Sequence, residues 1–261
     1  MSKENSPLAK YYRQPQIYIK LPTGTDYYPE DVVAKTTTGE HPVFPMTAND
    51  EILFKTPDAL MNGQATVDVI QSCVPSIKDA WKIVNYDLDT LLIAIRIATY
   101  GEKMEVTTTV NEKAMHELTL NHLLDGILQV KITNEVNMTN GLKITVHPLT
   151  YKQLVDSQLK TFEQQRMYTQ VAQSNLSEEE KTKRYTDSFK VLTDLNATLL
   201  LDNIAEIKLP DGNIVTDKEQ ISEFIKNADA KMVKDLEEKL AQLRNQGSVK
   251  PQTFKADEEL I

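Results

Sequence analysis

The chain is 261 residues long, which is enough for one large domain or two modest ones. Its 38 acidic and 29 basic side chains give a formal net charge of -9, and repulsion from phosphate backbones therefore argues against nucleic acid as a main partner. The single cysteine, Cys73, excludes an internal disulfide and a metal site made of cysteines alone, and it suits a reducing compartment such as a cytosol.

Residues 1 to 42 are predicted to be a flexible arm, a short strand and a loop. The first 15 or so residues are polar and without periodicity, which predicts a disordered arm with no signal peptide. Alternation of apolar and polar side chains predicts a strand at Ile17 to Leu21. Residues 22 to 42 hold three prolines and two glycines, which favours either a plain connector or an extended crossing segment.

Residues 43 to 148 are predicted to be a helical core with an antiparallel β insertion. Thr47, with Asp50 three residues later, has the spacing of a capping box and predicts a short helix. Pro57 is suited to the first position of a second helix, because a residue there needs no N–H donor. Apolar residues at spacings of three and four predict a third helix from about Gln64 to the next proline.

A fourth helix is predicted from Asp87, and it is apolar nearly all round, which is typical of a central core helix. It contains Arg96, so it is unsuited to a membrane span, and we expect a structural ion pair from Arg96 to Asp87 or Asp89. Trp81 is predicted to lie in a loop before this helix. Two interpretations of Trp81 remain open, a packing plug and an anchor for a partner.

The β insertion follows this helix and is predicted from short runs in which apolar and polar residues alternate. Turns are predicted at Asn111-Glu112 and at Asn140-Gly141. The predicted strands are Lys103 to Val110, Glu117 to Leu120, Gln129 to Thr133 and Leu142 to His147. Together they indicate a small antiparallel sheet between helical regions.

Residues 149 to 261 are predicted to be a helical C-terminal region with one β-hairpin. A long helix is expected from Thr150 to about residue 174, and Ser177 to Glu180 has the pattern of a capping box that begins another. A strand at Ile204 to Leu209 and a return limb from Ile214 form the hairpin, and two further helices follow. The expected fold class of the whole chain is therefore α+β and helix-rich.

No motif for catalysis or for a cofactor rises above background, so we predict no catalytic residue and no enzyme activity. The sequence has no glycine-rich phosphate loop and no Gly-x-Ser-x-Gly elbow. His116-Glu117 resembles the start of a metalloprotease motif, but Leu120 stands where the second histidine is needed. A hypothesis of another class stays open, in which His116, His122 and His147 meet across the sheet in a metalloprotein or enzyme.

Three ordered blocks carry a resemblance to a known family, and they are Val43 to Gly63, Ser72 to Ile83 and Asp87 to Glu102. Together with Leu21 to Gly24, they are similar to the baseplate hub family of T-even-like contractile-tailed bacteriophages. The members of this family are hub subunits or hub-assembly factors. The resemblance becomes thin after residue 110, so the C-terminal half contributes little to it.

The sequence departs from that family's pattern in two places. Some members have a Cys-x-x-Cys turn in the hairpin after the third block, whereas Thr107 to Glu117 contains no cysteine. The hairpin is therefore expected to hold by packing, without zinc. Relatives also continue beyond the last helix, whereas this sequence stops at Ile261, which leaves open a missing C-terminal tail.

The resemblance implies a protein–protein role in building the baseplate hub, in the cytoplasm of the host bacterium, with other hub or tail proteins as partners. It leaves open a subunit that stays in the tail baseplate of the virion and a chaperone absent from the mature virion. For the partner-binding residues it favours Trp81 with Lys78 and Lys82, in the second block. No nucleic acid and no membrane partner is expected, and the oligomeric state is not predicted.

Overall fold

The computed structural model describes residues 8, 11–24, 26–107 and 115–252, and it confirms a helix-rich α+β fold. The chain divides into two compact units. Unit 1 contains the described residues up to Lys131 together with those from Gly247 onward, and unit 2 runs from Ile132 to Gln246. The sequence-based boundary at residue 148 lies inside unit 2, because a strand before it pairs with a strand far beyond it.

Unit 1 begins with β1 (Ile17–Ile19), which pairs antiparallel with β2 (His41–Val43). Four helices follow, and a single 3-10 turn at Ala80–Lys82 separates the last two. The helices are α1 (Ala48–Phe54), α2 (Pro57–Met61), α3 (Gln64–Cys73) and α4 (Asn85–Tyr100).

Local signals in the sequence explain where the first helices begin. Thr47 and Asp50 form the predicted capping box, in which each side chain accepts the other's backbone N–H. Pro57 occupies the start of α2, as predicted. Gly63 then adopts a φ of 78° between α2 and α3, a conformation that side chains with a Cβ rarely take.

Helix α4 lies in the core of unit 1, as predicted, with Leu91 and Ala94 fully buried. The ion pair predicted for Arg96 does not form with Asp87 or with Asp89. Asp87 is nine residues away, which puts it on the opposite side of the helix, and Asp89 is two turns or about 10 Å along it. The guanidinium of Arg96 instead lies over the ring of Tyr100, 4.5 Å from its centroid.

After α4, β3 (Lys103–Thr107) and β4 (Met115–Thr119) pair antiparallel, and α5 (Leu120–Leu128) follows. The predicted turn at Asn111-Glu112 lies outside the described residues. Helix α5 was not predicted, although its buried Leu120, Leu124 and Ile127 have helical spacing. The strand predicted at Gln129 to Thr133 is wrong: this segment leaves α5 through a turn and forms no strand.

Unit 2 contains one four-stranded antiparallel sheet in the order β5-β6-β7-β8. Its elements are β5 (Glu135–Asn137), β6 (Lys143–Val146), α6 (Tyr151–Ala172), α7 (Glu178–Asn203), β7 (Ile204–Lys208), β8 (Ile214–Val215), α8 (Lys218–Asn227) and α9 (Ala230–Arg244). The sequence predicted the strand at Leu142 to His147 and the C-terminal hairpin in separate regions, whereas both belong to this single sheet, and β3 and β4 pair on their own. Buried side chains from the sheet and from α7, α8 and α9 make its core, including Ile144, Leu200, Ile221 and Leu236.

Both ends of unit 2 are joined by one side chain. The amide of Gln246 accepts a hydrogen bond from the backbone N–H of Thr133 at 2.8 Å and donates one to the Thr133 carbonyl at 3.2 Å. The chain then returns to unit 1, where the backbone N–H of Val249 donates to Asp89 at 2.9 Å. Gly247 packs so closely on the backbone of Tyr86 that a Cβ atom would lie 2.4 Å from the Tyr86 Cα.

Within the described part of the chain, no helix combines the length and the apolar character needed to cross a membrane.

Candidate partner-binding surface

Trp81 lies at the centre of the short 3-10 turn between α3 and α4. The side chain of Asp79 caps this turn by accepting the backbone N–H of Trp81 at 3.2 Å. The flanking residues Ala80 and Ile83 are fully buried, while the indole of Trp81 is only half-buried. The turn is therefore anchored from both sides, and the indole lies at the edge of the core.

Lys78, two residues before this turn, and Lys82, its last residue, are both exposed. Both lie within three residues of Trp81 in the sequence. The Lys78 ammonium donates to the carbonyl of Glu30 at 2.8 Å. The Lys82 ammonium lies 3.1 Å from Asp79 and 3.8 Å from Asp31. Exposed ion pairs of this kind contribute little to stability, so exchanging them for contacts with an acidic partner costs little.

The N-terminal segment is fixed to the first two blocks by the guanidinium of Arg13. It donates to the carbonyls of Pro45 at 2.7 Å and Ser72 at 2.6 Å, and it lies 3.4 Å from the carboxylate of Asp50. The disordered arm was predicted to reach about residue 15, but Arg13 is held in place. Residues 1–7, 9 and 10, which make up most of that prediction, lie outside the described residues.

A second anchor joins the loop before β2 to α4 through the fully buried carboxylate of Asp87. It accepts hydrogen bonds from the Thr23 N–H at 3.0 Å, the Thr23 hydroxyl at 2.6 Å and the Tyr28 hydroxyl at 2.6 Å. The Tyr28 hydroxyl in turn accepts the N–H of Val84 at 3.0 Å. Burial raises the pKa of Asp87, and burial beside that carboxylate raises the pKa of Tyr28.

The three histidines of the metal-site hypothesis are divided between the two units, with His116 and His122 in unit 1 and His147 in unit 2. Among the residues described by the structure, no group of three His, Cys, Asp or Glu side chains is placed to hold a metal ion. His122 and His147 are exposed, and His116 lies on β4. His41 is buried, with its Nδ1 2.9 Å from the hydroxyl of Ser76, and burial lowers its pKa.

Exposed apolar side chains also lie on α1 and α2, inside the first block, and they were not predicted from the sequence. Ile52 and Met61 are 63% and 52% exposed, and Leu60 between them is also exposed. Helices this short bury only part of their circumference, so some of their apolar side chains stay at the surface. The shortness of the two helices between Thr47 and Gly63 was the available signal.

One comparison with known proteins gave a match: a family model described as "T4 bacteriophage base plate protein" matches residues 18–251. The matched range contains all three blocks and continues through unit 2, well beyond residue 110, where the resemblance in the sequence had become thin. No curated protein and no solved structure matched the chain.

Proposed function

The chain belongs to the family of T4 bacteriophage base plate proteins, and on that basis we propose that it acts by protein–protein contacts in the baseplate hub. The observation that carries this proposal is the family match over 18–251, together with the three blocks that resemble hub proteins. The geometry is compatible with it, because the second block presents a half-buried indole between exposed lysines rather than a catalytic cluster.

Two roles in the hub are distinguished by one measurement. A hub subunit remains in the tail baseplate of the virion, whereas a hub-assembly chaperone acts in the host cytoplasm and is absent from the mature particle. Mass spectrometry of purified virions detects the first and misses the second. Either role requires co-purification with other hub or tail proteins from infected cells, and a chain that binds none of them would overturn the hub proposal.

We assign the partner contact to Trp81 with Lys78 and Lys82. A tryptophan that is anchored by its backbone and half-buried loses little conformational freedom on binding, which makes it an efficient interface anchor. The two lysines place exposed ammonium groups near it, held by the Glu30 carbonyl and by Asp79 and Asp31, and these weak surface contacts can be exchanged for carboxylates of a partner. The expected partner surface is therefore an apolar pocket with an acidic rim.

Pull-down of the hub partner by variants of the full chain tests this surface. Trp81→Ala is expected to weaken binding at least tenfold, as a hot-spot tryptophan does, and Lys78→Glu with Lys82→Glu is expected to weaken it in a salt-dependent manner. The matched controls are Tyr18→Ala, an exposed aromatic residue elsewhere in unit 1, and Lys160→Glu, an exposed lysine of α6.

Two results would refute the assignment of this surface without refuting the family role. One is a Trp81→Ala variant that unfolds, as judged by circular dichroism and thermal melting, while the lysine variants bind normally; Trp81 would then be a core residue. The other is loss of binding in Ile52→Asp and Met61→Asp with normal binding in Trp81→Ala, which would move the contact to α1 and α2.

The hypothesis of a histidine-dependent metalloprotein is not favoured, because the family consists of base plate proteins. Elemental analysis of the purified full chain provides a direct test. Stoichiometric zinc, iron or manganese that is lost in His116→Ala and His122→Ala would revive it.

A further inference from the structure

Helices α6 and α7 form an antiparallel hairpin, and few of its residues are fully buried except at the end next to β6 and β7. The rings of Tyr168 and Tyr185 stack with centroids 4.9 Å apart, and the hydroxyl of Ser188 donates to Gln164 at 2.7 Å. The less exposed side chains of each helix, which pack between the two helices, recur at alternating spacings of four and three residues, as in a coiled coil. We call this line of contact the seam. These pairs fix the register of the hairpin, so that Phe162 and Phe189 lie at nearly the same level.

The register also fixes which residues share a side. Successive residues turn by about 100° around a helix, so a residue's angle from the seam follows from its number. Because the helices are antiparallel, residues displaced in the same rotational sense come to the same side of the pair. One side, which we call the uncharged face, consists of exposed residues only: Phe162, Gln165, Thr169, Thr186, Phe189 and Thr193.

The uncharged face is more apolar than its composition suggests. Phe162 is 47% exposed and Phe189 is 67% exposed. The hydroxyls of Thr169, Thr186 and Thr193 each donate to the backbone carbonyl four residues earlier, at 3.2, 2.9 and 2.9 Å. With their hydroxyls bonded inside the helix, these threonines contribute methyl groups to the surface.

Beyond Glu179, which is exposed at the start of α7 and precedes Thr182, the charged residues of the hairpin lie on other sides. By the same angular argument, Lys160 and Glu163 of α6 and Arg184 and Asp187 of α7 are displaced in the opposite rotational sense or point away from the pair. Thr182 and Asn196 are exposed and displaced in the same rotational sense, and with them the uncharged face extends about 21 Å along α7 at 1.5 Å per residue. A side of this length without charge is unusual on a chain that carries 38 acidic and 29 basic groups.

We propose that the uncharged face binds the same face of a second copy of the chain, so that two hairpins form a four-helix bundle about a twofold axis. In such an interface each residue meets a residue of the identical surface. A charged face would meet its own charge, and two chains of net charge -9 repel each other elsewhere, whereas this face adds no repulsion. Glutamine is both donor and acceptor, so Gln165 is complementary to its own copy.

The size of the face sets the expected strength. Two adjacent helices, each about 10 Å across, give a footprint of about 20 by 20 Å, which buries on the order of 1,000 Å² in total when two copies pair. This area is near the lower limit for a specific interface. The dimer is therefore expected to be concentration-dependent, with a dissociation constant in the micromolar range, and the phenylalanines at its centre contribute most of the affinity.

Sedimentation equilibrium of the full chain over a concentration series tests the proposal. The wild type is expected to shift from monomer to dimer between about 1 and 100 µM, the range that this buried area implies. Phe189→Glu and Phe162→Glu are each expected to weaken dimerisation at least tenfold. Val191→Glu is the matched control, because Val191 is an exposed apolar residue of α7, 44% exposed, on the opposite side of the hairpin.

A second measurement keeps the test valid if a glutamate variant fails to fold. Thr193→Cys and Thr198→Cys place a thiol on opposite sides of α7, and both native threonines are exposed and donate to the carbonyl four residues earlier. A bis-maleimide reagent is expected to join two copies through residue 193 and not through residue 198. A wild type that stays monomeric at about 100 µM, or a dimer that both glutamate variants leave intact, would overturn the proposal.

Discussion

Replacing Asp87 by alanine leaves three hydrogen-bond donors without their acceptor, on the segment that joins the N-terminal loop to the core helix of unit 1. The donors are the N–H and hydroxyl of Thr23 and the hydroxyl of Tyr28. Tyr28 is buried and has little access to water, whereas Thr23 is half-buried and recovers part of its hydration. The cost of the substitution is therefore concentrated at Tyr28.

The magnitude follows from these three bonds. An unsatisfied buried donor costs about 1–3 kcal/mol, and the three together predict a loss of about 3–5 kcal/mol in the free energy of unfolding of unit 1. Asp87→Asn keeps the shape and one carbonyl oxygen, and the hydroxyls are able to rotate, so it is expected to cost about 1–2 kcal/mol. Tyr28→Phe leaves the N–H of Val84 without its acceptor, at about 1–3 kcal/mol.

The titration of Asp87 makes the free energy of unfolding depend on pH, and comparison with Asp87→Asn, which cannot titrate, isolates this dependence. The pKa of Asp87 is raised above its ordinary value of 3.8 because burial disfavours the charged form. The folded state therefore holds this proton more tightly than the unfolded state, and the resulting stability is fully present below 3.8 and lost as the pH rises through the raised pKa. The stability of the wild type relative to Asp87→Asn is expected to fall over that range and then to level off.

Urea unfolding followed by circular dichroism and by Trp81 fluorescence at a series of pH values measures both effects. The fluorescence reports on unit 1, which contains the single tryptophan. A loss of less than about 1 kcal/mol in Asp87→Ala, comparable to an ordinary surface substitution, would refute the account of the network. A pH-independent difference between wild type and Asp87→Asn would refute the account of the titration.

Three further predictions concern other groups. Burial raises the pKa of the Cys73 thiol to about 11, so it is expected to react with a maleimide only after unfolding, and rapid labelling of the native chain would contradict this. Burial lowers the pKa of the His41 imidazole below 6.5. The free energy of unfolding of the wild type, measured in urea titrations relative to His41→Asn, is therefore expected to keep its full value above pH 6.5 and to fall as the pH drops from 6.5 through the lowered pKa of His41. A double-mutant cycle on Tyr168 and Tyr185, each changed to alanine, is expected to give a coupling of about 0.5–1.5 kcal/mol, and additive losses would show that their stacking contributes nothing.

The parts of the fold that the sequence predicted are those set by neighbouring residues. Capping boxes at Thr47 and Ser177 begin α1 and α7 where the spacing of their partners predicted, and α6 begins near the predicted position at Thr150, where the structure shows a third box that was not predicted. A capping box depends on two residues that are three positions apart, so a short stretch of sequence is enough to predict it. The family resemblance was also local, and it identified the base plate family from blocks between Val43 and Glu102.

The parts that the sequence did not predict depend on residues far apart in the chain or on the angle around a helix. The pairing of β6 with β7 joins strands separated by the whole α6–α7 hairpin, and no local pattern specifies it. Arg96 was predicted to pair with Asp87 or Asp89. Asp87 is nine residues away, which is two and a half turns of helix, so the two side chains point to opposite sides of α4. Trp81 was placed correctly between two helices, whereas its degree of exposure depended on packing that only the fold shows.

The link between Thr133 and Gln246 makes unit 2 an insertion whose two ends are neighbours, and this has a consequence during synthesis on the ribosome. Unit 2 is contiguous, so it has all of its strands and helices as soon as Gln246 has emerged. Unit 1 must wait for Gly247 and Val249, which reach Tyr86 and Asp89 only after the whole of unit 2 has been translated. The first part of the chain to emerge is therefore the last to be completed, and the surface around Trp81 belongs to that late-closing unit.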